Sequence, residues 1–139
     1  MIKKYILENS HKHASKWLVL SIDILLTLFN FFLAYVIRFG ITLDIDSAIL
    51  AVQIPVMVVF SLISFLVIGS YKGVVRHTGI RDAYNHFLAV TILLSLSGAL
   101  MFSSRWSLMP DLLNIPVSII FIHYLLNIIV LTTSRLVFK

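Results

Sequence analysis

Asp23, Thr27, Asn30 and Ala34 follow one another at spacings of four, three and four, so they share one face of any helix that carries them. A carboxylate, a hydroxyl and a carboxamide in one stripe suit a proton site or a lipid-headgroup site. They also suit a polar seam between packed helices, and the seam is the reading to favour, because such contacts commonly join spans. His123 and Asn127 stand four apart and pose the same choice between an intramembrane polar site and an interhelical hydrogen bond. They do not make a metal pair, since no second His or carboxylate stands at ligand spacing nearby. Lys72, Arg76 and Arg81 lie among Tyr71, Val74, Val75, Ile80 and Tyr84, with Gly73 and Gly79 between them. Basic and aromatic residues together fit the headgroup zone of an anionic leaflet. These three, with Arg135, are candidate contacts for the phosphate of a lipid or a nucleotide sugar, or plain surface anchors. Arg38 suits snorkelling to headgroups, or a lipid phosphate. His11 and His13 suit a weak metal contact or, more simply, a solvated arm.

Other chemistry is absent from the sequence. It has no GxGxxG turn, no P-loop, no GxSxG elbow and no carboxylate pair on one helix. Asp44 and Asp46 read as solvated loop residues. With no cysteine there is no disulfide, thiolate zinc site or thiol nucleophile. No residue is assigned a catalytic, cofactor-binding or metal-binding role.

The elements that position these residues follow from composition. The 139 residues are 60% apolar and 12% charged, with a mean hydropathy of +1.02. Ordinary soluble domains carry about twice that share of charge. This excludes a disordered tail, a nucleic-acid-binding module and a typical cytosolic enzyme, and indicates a membrane protein. Four stretches are long and apolar enough to span, at about 17–38, 48–69, 83–102 and 113–134. The third is the weakest, because Asn85 and His86 open it. Their apolar runs are continuous rather than alternating, so the expected fold is all-α with four transmembrane helices. The first run is too long for a signal-peptide core, and no small-x-small cleavage site follows it.

Lysine and arginine placement orients the spans. Lys3, Lys4, Lys12, Lys16, Lys72, Arg76, Arg81, Arg135 and Lys139 fall on one side, and only Arg38 and Arg105 on the other. Both termini and the 70–82 loop are therefore expected in the cytoplasm, with 39–47 and 103–112 outside. Residues 1–16 form a basic interfacial arm, 17–134 the membrane domain, and 135–139 the start of a linker to a further cytoplasmic domain. Pro55 and Pro116 are expected near the first turns of their helices, where a missing N–H matters least, with a kink at Pro55 as the alternative. Thr91, Ser95 and Ala99, with Gly98 beside them, offer a small-residue face for packing inside the bundle or between subunits.

The order of these features resembles a known family. A basic arm leads through Lys16 and Trp17 to Asp23, and the first span ends in Arg38, Phe39 and Gly40. A loop then reads Gly69, Ser70, Tyr71, Lys72 and Gly73, followed by Arg76, His77, Thr78, Arg81 and Asp82, and the last span leaves through Ser134, Arg135 and Leu136. This resembles the N-terminal membrane domain of bacterial polysaccharide-biosynthesis proteins, the CapD-like membrane-bound nucleotide-sugar dehydratases and epimerases, over essentially the whole chain. The resemblance implies a membrane anchor in the bacterial cytoplasmic (inner) membrane. Its enzyme domain, a nucleotide-sugar 4,6-dehydratase or epimerase using NAD(P), would lie beyond residue 139 and feed capsule or O-antigen synthesis. The chain itself would bind no cofactor. Its expected partners are the lipid bilayer, its own downstream domain and a candidate second copy, and not nucleic acid. The alternatives are the membrane region of an undecaprenyl-phosphate sugar-phosphate transferase and a free-standing four-helix protein for lipid binding or transport.

Overall fold

The computed structural model describes residues 2–40, 46–69, 80–106 and 114–137, with 2–15 as backbone only. Every regular element among them is an α-helix: α1 (Ile2–Phe39), α2 (Ser47–Ile68), α3 (Ile80–Trp106) and α4 (Val117–Val137). All four are long and apolar enough to cross a membrane, α1 over Lys16–Phe39. The stretch read as a basic arm is a helical extension of the first span. At ~1.5 Å per residue α1 is about 57 Å long, so it must project past a hydrocarbon core of about 30 Å.

The helices stop where local chemistry stops them. Gly40 and Gly69 adopt φ of 76° and 68°, the left-handed conformation that glycine reaches without steric cost. Their N–H groups donate to Val36 and Phe65 carbonyls at 2.8 and 2.9 Å, closing the last turns of α1 and α2. At the start of α2, Asp46 accepts from the Ala48 N–H at 3.0 Å and acts as an N-cap. The Pro116 carbonyl accepts from the Ile119 and Ile120 N–H groups, so Pro116 sits at the start of α4 as expected. Pro55 does not: it lies in the third turn of α2, inside the helix. There its ring removes the donor that would meet the Ala51 carbonyl.

Among the described residues α1 packs on α2 and α4, and α3 on the same two, so α1 and α3 stand diagonally opposite. Successive helices run antiparallel. Asp23 near the start of the first span meets Arg135 at the end of α4, and Asn30 meets Asn127 further in. The Lys16 end of α1 and the Val137 end of α4 therefore lie at one end of the bundle.

Burial runs opposite to that of a water-soluble bundle. Asp23, Asn30, Gln53, His86, His123 and Asn127 are all at most 3% exposed, while Leu25, Phe29, Val67, Phe121 and Ile129 face outward. Such an arrangement suits a protein whose solvent is lipid, where apolar surface has nothing to escape and polar groups must pair inside. Trp17, Phe39, Tyr84 and Trp106 are exposed. Each pair, on α1 and on α3, is separated by about 33 Å along its helix, the spacing of two interfacial aromatic belts. These features describe a multi-pass membrane protein. Two apolar clusters fill the remaining interior, one around Phe31, Met57, Leu93 and Ile119, the other around Leu20, Phe65, Val90 and Leu131.

Candidate functional site

The polar interior is concentrated where α1 faces α4. At its outer end an Arg135 Nη2 donates to Asp23 Oδ2 at 2.7 Å, with side chains 16% and 3% exposed. One turn further into α1, the Thr27 hydroxyl donates to the Asp23 carbonyl at 2.8 Å, which satisfies a buried hydroxyl without an external partner. His123 Nε2 then lies 3.1 Å from the Thr27 carbonyl and 2.8 Å from Asn127 Nδ2. Asn30 Nδ2 donates to Asn127 Oδ1 at 2.8 Å. The Phe31 ring meets the imidazole edge-on, with centroids 5.4 Å apart. This ladder lies on the face that the spacing of Asp23, Thr27 and Asn30 predicts, and His123 and Asn127 complete it from α4.

His123 decides how the ladder is wired. One ring nitrogen cannot donate to Thr27 and accept from Asn127 at once. With a proton on Nε2, the imidazole donates to the Thr27 carbonyl and Asn127 must offer its oxygen. Without one, Nε2 accepts from the Asn127 amide. The seam therefore has two self-consistent arrangements, related by turning both carboxamides. In the arrangement described, Asn30 Oδ1 has no partner among the described residues.

Smaller polar contacts tie the other helices. Tyr35 hydroxyl donates to Gln53 Oε1 across α1 and α2. Ser97 reaches Met57 Sδ at 3.7 Å between α3 and α2, and Thr91 meets the Tyr124 hydroxyl at 3.5 Å between α3 and α4. His86, Tyr35 and Gln53 are buried polar groups that the sequence reading did not single out. His86 was detectable: with Ala89, Val90, Leu93 and Ser97 it forms the buried face of α3 at helical spacing.

Among the described residues, the other basic candidates stand apart from this site. Arg38 and Arg81 are exposed, at the end of α1 and the start of α3. Lys72 and Arg76 lie outside the described residues, as do the side chains of His11 and His13. Arg135, grouped with the loop cations as a phosphate contact, instead pairs with Asp23. The small-residue stripe of α3 is split: Ser95 and Ala99 are exposed, while the half-buried Thr91 reaches Tyr124 on α4. Among the described residues no three His, Asp or Glu side chains gather as metal ligands.

The hollows beside the seam are small. The one lined by His86, Asn127 and Thr132 holds about 10 Å³. The one beside Leu93, His123 and Tyr124 has no room for a water. Chemically, the seam can hold helices together and order its own protons; these hollows do not admit a substrate. Comparison with family models, with curated proteins and with solved structures finds no match for this chain.

Proposed function

We propose that the chain is the membrane-anchoring domain of a bacterial polysaccharide-biosynthesis protein. Its active part would be a cytoplasmic nucleotide-sugar 4,6-dehydratase or epimerase beyond residue 139. The observation that carries this reading is the closed polar seam between α1 and α4. Its buried groups are met largely by one another, and the Asp23–Arg135 pair holds the two helices together where α4 leaves the bundle. Such a bundle fixes the position of whatever it carries. The nine-to-two distribution of Lys and Arg supports a cytoplasmic location for both ends and for the 70–82 loop. Lys72, Arg76 and Arg81 would then lie at the anionic inner leaflet and set the height of the attached domain. Localisation beside lipid-linked glycan assembly raises effective concentration without new chemistry.

The test is to read the coding sequence past Lys139 and assay the full-length protein in membranes with a UDP-N-acetyl sugar. The proposal expects a glycine-rich nucleotide-binding turn, a downstream Ser with a Tyr- or Met-xxx-Lys pair, and a 4-keto-6-deoxy or epimerised product. A further hydrophobic segment followed by an Asp-Glu pair would assign the anchor to a sugar-phosphate transferase instead. An immediate stop codon would overturn the proposal.

A further inference from the structure

We propose that a single ordered water binds in the hollow between α3 and α4 and extends the α1–α4 seam into a hydrogen-bonded network across three helices. The hollow measures about 10 Å³ and is lined by His86, Asn127 and Thr132, with Val90, Ile128 and Leu131 as its apolar wall. A water needs about 10–15 Å³ and two to four polar partners, so the space reaches the lower limit for one water.

His86 supplies the demand. The residue is 3% exposed, and its Nδ1 has no hydrogen-bond partner among the described residues. A buried polar atom left in that condition is destabilising. A water serves either tautomer, donating to a bare Nδ1 or accepting from a protonated one. Asn127 has capacity to spare. Its carboxamide offers two N–H donors and two oxygen lone pairs, and its contacts use one N–H toward His123 and one lone pair toward Asn30. Thr132 lines the same hollow and carries a hydroxyl able to donate and accept. The water thus links His86 on α3 through Asn127 to His123 and Asn30. The neighbouring hollow beside His123 has no room for a water, which confines the site to the His86 side. None of this depends on the anchoring role.

X-ray radiolytic footprinting of the full chain in lipid nanodiscs tests the site, because radicals formed from a trapped water modify the side chains beside it despite their burial. Val90 and Leu131 line the hollow and are 2% and 0% exposed. Leu93 and Ile119, also 2% and 0% exposed, serve as dry controls. The expected result is severalfold greater modification of Val90 and Leu131 than of the controls. Equal modification of both pairs would overturn the proposal. His86→Phe should fill the hollow and bring Val90 and Leu131 down to the control level. A signal that persists in the folded variant would also overturn it. Should His86→Phe not fold, Thr132→Val removes one water partner at nearly constant shape and is expected to lower the same signal.

Discussion

Asp23 makes the strongest single demand in the chain. A carboxylate at membrane depth is costly unless it is paired or wet, so the need for a partner is legible from the sequence. The identity of the partner is not, because Arg135 lies 112 residues away and follows the last span. The depth of Asp23, about two turns into the first span, suits headgroups or a basic loop residue equally well. The pair predicts an asymmetric response. Arg135→Met leaves a 3%-exposed carboxylate without its cation, and is expected to cost about 3 kcal/mol. Asp23→Leu should cost less, because the long Arg135 side chain can snorkel to water. The double variant should recover most of the loss, since removing both charges removes the burial penalty with the attraction. A double-mutant cycle on reversible unfolding in mixed micelles measures this. Additive losses, with no coupling between the two positions, would contradict the assignment.

At the scale of the element, hydropathy and helix answer different questions. Hydropathy senses bilayer thickness, so four spans are legible in the sequence and each overlaps one helix, with the fourth displaced from the expected 113–134 to Val117–Val137. Backbone hydrogen bonding does not stop at the hydrocarbon edge. Hence α1 begins at Ile2, and α3 runs from Ile80 to Trp106, beyond the expected 83–102. The helix ends at Gly40 and Gly69 have a local cause, the left-handed caps. Two of the glycines on which the family resemblance rests are thereby explained by helix termination alone. The faces of α3 were harder to read, since small and polar residues occupy both sides of it. Ser95 faces outward and Ser97, 1% exposed, packs on Met57. Ser97→Leu is therefore expected to overpack the bundle and cost about 1–3 kcal/mol. Ser95→Leu should change unfolding stability by less than about 0.5 kcal/mol. Equal losses in the same unfolding assay would mean that α3 is rotated from its described orientation. If Ser95→Leu alters the oligomer size while stability holds, the outer stripe is an interface between copies.

At the scale of the molecule, an even number of antiparallel spans brings the Lys16 and Val137 ends together, and the ion pair fixes that meeting. The polar stripe of α1 was legible because its residues share one helix period. That His123 and Asn127 complete it was not, because helix pairing is set by tertiary packing and not by spacing within one span. The proposed function rests on the resemblance, since the described residues pair and cap but show no arrangement for group transfer among themselves. A bundle that holds an enzyme at the cytoplasmic face, as proposed, requires the chain to leave α4 on that side. The chain has no cysteine, so a single Lys139→Cys substitution in the full chain gives an unambiguous reporter, with Ser47→Cys, exposed at the first residue of α2, as the opposite-side control. In intact cells a membrane-impermeant maleimide is expected to label the residue 47 variant and to reach residue 139 only after lysis. Labelling at residue 139 in intact cells would place the downstream chain outside, and the anchoring account would fail.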